Sequence, residues 1–214
     1  GCAFARNAVL ASSLPESVPA VTIDRQCGSS QQAVHFAAQA VMSGTQDVVI
    51  AAGVESMTRV PMLSNVSLHQ KDGIGVGPIS DRVKKRFGIA GFNQFAGAET
   101  IARKYGFDRA ALDRFALESH RKAIAATAAD AFANEILALP VETADGGILH
   151  RIDEGIRFDA TLDSIGAVKL IQEGGVISAA NASQICDGAS GVLIVSERAL
   201  NVHKLTPLAR IHTM

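Results

Sequence analysis

Between Val18 and Val54 the chain runs through an apolar stretch, a tight turn at Arg25-Gln26-Cys27-Gly28, a run of small and apolar residues, and a second apolar stretch. Val18 to Asp24 predicts a short buried strand, and Gly28 to Met42, closed by Ser43-Gly44, predicts a helix. Ala33, Val34, Phe36, Ala37, Ala38, Ala40, Val41 and Met42 fall on nearly every side of that helix, so it is expected between two layers. Val48 to Val54 is continuously apolar, as in a parallel-sheet strand covered on both faces. Strand, helix and strand in this order form a right-handed crossover unit, which restricts the chain to an α/β fold. Open α/β sheets gather ligands at the carboxyl ends of their strands, and Cys27 stands at such an end.

The turn gives Cys27 a chemical reading. Unpaired N–H groups converge at a helix start, and the positive end of the helix dipole favours a thiolate over a thiol. A lone cysteine is otherwise a small buried hydrophobe; the turn context points to a nucleophile instead. Cys2, Cys27 and Cys186 make an odd count without paired spacing, which argues against a disulfide framework or a zinc site and suits a reducing, cytoplasmic setting. With 20 Lys plus Arg against 21 Asp plus Glu and no long basic stripe, nucleic acid is not an expected partner. No apolar run reaches membrane-spanning length. The opening Gly1-Cys2-Ala3 has neither an initiator Met nor a signal-peptide pattern, so the true N-terminus is expected upstream.

Elsewhere the punctuation is clear. Phe4 to Leu14 predicts a helix ended by Pro15-Glu16-Ser17. From Arg59 to Gly97 the chain is rich in Gly, Pro, Ser and Asn, and reads as a long excursion rather than core. Asp108 should cap a helix whose small or apolar face runs through Leu112, Phe115, Ala116, Ser119 and Ala123, with Phe107 stapled onto Leu112. Leu139 to Asp153 predicts short strands around the turn Asp145-Gly146-Gly147, and Gly191 to Val195 a last strand returning to the sheet. The 214 residues suffice for one substantial core or two small ones.

Three blocks carry a family resemblance. Asp24-Arg25-Gln26-Cys27-Gly28-Ser29-Ser30 with Ala51-Ala52-Gly53-Val54-Glu55-Ser56-Met57-Thr58 resembles the nucleophile segment and following strand of the thiolases, the acyl-CoA C-acyltransferases. Ala98-Glu99-Thr100-Ile101-Ala102 is similar to that family's Ala-Glu-Asn-Val-Ala block. Ala179-Ala180-Asn181-Ala182-Ser183 and Asp187-Gly188-Ala189 are similar to its Ala-Gly-Asn-Ala-Ser and Asp-Gly-Ala blocks. The resemblance implies one half of a five-layer αβαβα thiolase fold. It divides the chain into an N-terminal domain at 1–58, a loop domain at 59–178 that covers the active site, a return at 179–206, and the start of a C-terminal domain at 207–214. The first strands and the rest of the C-terminal domain are expected beyond these residues.

The implied activity is degradative thiolysis, as in fatty-acid β-oxidation. An acyl group passes from a 3-ketoacyl-CoA to coenzyme A through an acyl-Cys27 intermediate, and acetyl-CoA is released. Coenzyme A is then a co-substrate, with no prosthetic group and no metal, and a homodimer or homotetramer is implied. A base must activate Cys27, but the eight positions to His35 amount to about 12 Å of helical rise, too far for a dyad. His35 is expected as a packed or partly exposed helix residue, and His69, His120, His150, His203 and His212 in surface or loop roles. In the family the base comes from a Gly-His-Pro segment and an asparagine from an Asn-Glu-Ala-Phe segment, neither of which occurs here. Cys186 can be read as a second catalytic cysteine, but a small buried residue beside the returning strand is the expected role.

By resemblance Arg157 lies along the nucleotide of coenzyme A, Ser164 contacts it, and Ala179 and Ser183 line the pantetheine arm. Lys84-Lys85-Arg86 can meet phosphate or be a solvated face. Asn93 and Gln94 stand where many short-chain thiolases have His-Met, beside the acyl group, and Ala180 replaces a common glycine. A longer or bulkier acyl chain is therefore expected in place of acetoacetyl-CoA. The alternatives are a biosynthetic acetoacetyl-CoA thiolase, a ketoacyl-synthase relative, and a catalytically incomplete acyl-CoA-binding or structural subunit.

Overall fold

The computed structural model describes residues 4–64 and 66–214. Cys2 lies outside the described residues. The chain divides into two compact units, one made of Gly1–Ser64 with Cys186–Met214, the other of Asn65–Ile185.

The first unit is built on an antiparallel pair of strands, β1 (Val48–Glu55) and β4 (Gly188–Val195), with Val48 opposite Val195 and Glu55 opposite Gly188. Helix α1 (Phe4–Ala11) opens the unit, and α2 (Ser29–Met42) lies on one face of the strand pair. The core is small: Ala37 of α2, Ala51 of β1 and Ile194 of β4 are buried together, with Ala33, Val34, Val41 and Val49 packed against them. One glycine is obligatory for this packing. A Cβ on Gly53 would stand 3.0 Å from Ser30 Cβ and collide with its hydroxyl, so the first turn of α2 can rest on β1 only where a side chain is missing. A last helix, α8 (Glu197–Val202), is capped by Ser196, whose hydroxyl accepts from Ala199 N–H at 3.1 Å and donates to Asp47 Oδ1 at 2.7 Å. Arg198 pairs with the same carboxylate, and these bonds, Ser196 first, hold Asp47 below its usual range.

Three expectations for this unit are corrected. Val18 to Asp24 forms no strand; the carbonyls of Glu16 and Val18 receive the Arg6 guanidinium, each at 2.7 Å, and Thr22 Oγ1 accepts from Ala5 N–H. With that strand unpaired there is no crossover unit, and β1 pairs antiparallel with β4. Helix α2 is covered on one face only, leaving Phe36 50% and Met42 72% exposed, and Val48, Ile50 and Val54 on the other face of β1 are about half exposed. The remaining elements fall as expected, with α1 ending three residues short of Leu14 where Ser12 N–H turns back to Val9 O.

The second unit contains α3 (Leu68–Asp72), α4 (Asp81–Phe87), α5 (Gln94–Tyr105), α6 (Arg109–Ala128), the hairpin β2 (Leu139–Thr143) and β3 (Gly146–His150), and α7 (Leu162–Gly166). Gly106, at φ +71°, ends α5 with a left-handed cap, and Asp108 starts α6 by accepting from Ala111 N–H at 2.7 Å. The buried face of α6 is not the apolar one expected. Asp113 and Leu117 are buried and Phe115 is 79% exposed, because the carboxylate of Asp113 is bonded inward and sets the rotation of the helix.

Candidate active site

Cys27 occupies the third position of a turn closed by Gly28 N–H donating to Arg25 O at 2.7 Å. Its φ of +62° is in the left-handed region, which costs a non-glycine residue roughly 1–2 kcal/mol. The turn is closed from its other side by Ser29 Oγ, which accepts from Arg25 N–H at 3.0 Å. The thiol is exposed and stands one residue before Gly28, the N-cap of the fourteen-residue α2, where no side chain caps the first-turn N–H groups. The Arg25 guanidinium folds against Gly28, close enough that a Cβ there would overlap it. An exposed thiol held in a tight turn at a helix start is open to an incoming carbonyl. His35 is half-buried farther along α2, as expected.

Asp187 was quoted from sequence only as part of a block, but it joins the two strand ends of this unit. Thr58 donates to it twice, from N–H to Oδ1 at 2.9 Å and from the hydroxyl to Oδ2 at 2.5 Å, and Ser56 Oγ reaches Oδ2 at 3.4 Å. These donors, the Thr58 hydroxyl first, hold its carboxyl below the usual range. Cys186 next to it is exposed, which corrects the expectation of a buried residue: the segment leading into β4 runs over the surface.

The remaining candidates belong to the second unit. Asn93 is the N-cap of α5, its Oδ1 accepting from Phe95 N–H at 2.8 Å and Ala96 N–H at 3.2 Å, and Gln94 follows it, exposed, as the first helical residue. Ser164 forms a capping box with Thr161 at the start of α7, with bonds of 2.9 and 3.1 Å. Ala179 and Ser183 are exposed at either side of a turn whose base is buried Ser178 and half-buried Asn181. Asn181 Oδ1 accepts from Ser178 N–H at 2.9 Å, and its amide donates to Val176 O at 3.1 Å and to Asp113 Oδ1 at 2.9 Å. Arg157 has an exposed side chain, and its N–H donates to His120 Nδ1 at 3.3 Å.

Within this unit the structure brings three of the candidate segments together. Gln184, beside Ser183, donates to Gly155 O at 2.7 Å and so ties the Arg157 turn to the Ala179–Ser183 turn. Arg109 Nη2 donates to Ile165 O at 2.9 Å and Val168 O at 3.2 Å, at the end of the helix that carries Ser164. Sequence reading missed Asp113, quoted Glu99 only as part of a block, and gave His120 a surface or loop role. Glu99 is 2% exposed, and its carboxylate accepts from Val176 N–H and Ile177 N–H at 2.9 Å each. The signal available was a charged residue on the inward side of a helical pattern, which looks like a solvated face until its partners are known.

Comparison with known proteins places these features in a lineage. Residues 1–198 match the family described as thiolase, N-terminal domain. The steroid 3-ketoacyl-CoA thiolase FadA6 of Mycobacterium tuberculosis is 46% identical over 98% of this chain and 50% of its own length. The 3-ketoacyl-CoA thiolase of Photorhabdus laumondii is 41% identical over 100% of this chain and 53% of its own. Among solved structures, human mitochondrial 3-ketoacyl-CoA thiolase superposes with a TM-score of 0.74 at 31% identity, covering 95% of this chain and 52% of that one. The acetyl-CoA acetyltransferase of Syntrophomonas wolfei superposes at 0.77 with 28% identity, over 97% and 53%. The chain spans about half the length of the curated relatives it matches. Among the described residues no helix is long and apolar enough to cross a membrane.

Proposed function

This chain belongs to the thiolase family, and from that premise we propose that the protein is a degradative 3-ketoacyl-CoA thiolase with Cys27 as the acyl acceptor. The observation that carries the reading is the Cys27 turn: an exposed thiol at a left-handed position in a tight turn, one residue before the N-cap of a fourteen-residue helix. The thiolate attacks the ketone carbonyl of the substrate, and the carbon–carbon bond breaks. The acyl group remains on sulfur, and the departing acetyl-CoA carbanion takes up the proton that the Cys27 thiol gave up; a second coenzyme A then loses its thiol proton, attacks the thioester and carries the acyl group away, the proton returning to Cys27. Both additions pass through an oxyanion, for which the Cys27 backbone N–H is a suitable donor. The Gly28 N–H is not, because Arg25 O already holds it.

Coenzyme A is the co-substrate in this reading, held by Arg157, Ser164, Ala179 and Ser183 of the second unit. Asn93 and Gln94 are assigned to the recognition of the acyl chain and favour a medium or bulky one, in line with 46% identity to a protein named as a steroid thiolase. A homo-oligomer in a reducing cytoplasm completes the proposal, since an exposed nucleophilic thiol must stay reduced. The test is CoA-dependent cleavage by the full-length gene product, with kcat/KM compared for acetoacetyl-CoA and for a bulky 3-ketoacyl-CoA. Cys27→Ala should abolish turnover, and the bulky substrate should be preferred. Turnover that survives Cys27→Ala removes the nucleophile, and a clear preference for acetoacetyl-CoA removes the degradative assignment.

A further inference from the structure

We propose that Asp113 is a positioning residue that fixes the spacing between two coenzyme A-contacting segments, the one carrying Ser164 and the one carrying Ala179 and Ser183. The inference rests on the coenzyme A reading above. Asp113 is 5% exposed on α6 and each of its oxygens serves a different segment. Oδ1 accepts from Asn181 Nδ2 at 2.9 Å, and Asn181 in turn holds the backbone of the Ser178 turn from inside. Oδ2 accepts from Arg109 Nε at 2.5 Å, and Arg109 continues to the carbonyls of Ile165 and Val168 at the end of α7.

The arrangement has the form of a gauge. Asp113 and Arg109 stand one turn apart on a twenty-residue helix, so the carboxylate and guanidinium share one rigid support. Burying a carboxylate is costly unless every lone pair is engaged, and a packing contact alone would be served as well by an apolar side chain. The charged node instead yields directional bonds to two backbone turns. Glu99 pins the start of the second segment independently, through Val176 and Ile177, so the bonds through Asp113 set where the turn itself lies. A shift of about 1 Å in either turn would misplace a bound coenzyme A without altering the Cys27 turn, which belongs to the other unit.

The test uses the full-length gene product and three readouts: the coenzyme A dissociation constant by calorimetry, kcat and KM for coenzyme A, and the rate at which iodoacetamide alkylates Cys27. Asp113→Asn keeps the volume but turns one acceptor into a donor facing a donor. Its dissociation constant and KM should rise about tenfold, the scale of one lost charge-assisted hydrogen bond, with the alkylation rate within about twofold of wild type. Arg109→Lys keeps the ion pair and loses the reach to α7, and should weaken coenzyme A severalfold even if Asp113→Asn does not fold. Folded variants with wild-type coenzyme A affinity and only a lower melting temperature would overturn the inference while leaving the thiolase reading intact. A wild type that binds no coenzyme A would take down both.

Discussion

Cys27 and Cys186 are both free and exposed, so solvent access does not separate them; their places in the fold do. Cys27 stands one residue before the N-cap of the fourteen-residue α2, whereas Cys186 lies in the irregular segment that leads into β4. Reactive cysteines are found at helix starts. Limiting iodoacetamide at neutral pH should therefore label Cys27 at least about tenfold faster than Cys186, as read by peptide mass spectrometry. Equal labelling in folded protein would remove the activated-nucleophile reading. Asp187 gives a second residue-scale expectation. Its carboxyl is held below the ordinary value of 3.8, so its contribution to stability is present above that value and is lost as pH falls through its lower folded value. Acid unfolding of Asp187→Asn should be less steep below about pH 4 than that of wild type, because the variant has no proton to take up there.

At the scale of elements, the seat of α2 on β1 depends on Gly53. Gly53→Ala should lower stability by about 1–3 kcal/mol by overpacking against Ser30, and Ser30→Ala in the same chain should recover part of that loss. A melting temperature unchanged in Gly53→Ala would show that the helix can lift off the strand freely. The elements that sequence made legible are those with local punctuation: the Asp108 cap, the Ser43-Gly44 stop, the Gly146 turn of the hairpin. The turn at Cys27 was legible for the same reason, since Cys-Gly before a small-residue run is a local pattern. Strand pairing was not. Val18 to Asp24 has strand composition, but a strand exists only with a partner, and here Arg6 and Ala5 take its polar groups instead. The buried carboxylates were equally hidden, because Glu99 and Asp113 owe their burial to backbone donors and an amide more than sixty positions away.

For the whole molecule, many large apolar side chains among the described residues are exposed, and some of them are contiguous. On the β1–β4 pair, Val48, Ile50, Val54 and Leu193 share the face turned away from α2 and are each about half exposed, in register across the ladder. A contiguous face of this kind is a site for association or aggregation in a protein left with nothing on it. The 214-residue stretch, expressed as given, should therefore bind the dye ANS strongly and migrate as an aggregate in size-exclusion chromatography. Catalysis should suffer separately. Cys27 has no histidine within hydrogen-bond reach along α2, and a positioned base contributes about 10² to 10⁴-fold to such a reaction. The stretch should at most acylate Cys27 slowly and release little acetyl-CoA from a 3-ketoacyl-CoA. If instead a monodisperse 22.3 kDa chain sustains turnover that Cys27→Ala abolishes, the base lies within these residues, and the exposed face is no obstacle to a stable fold.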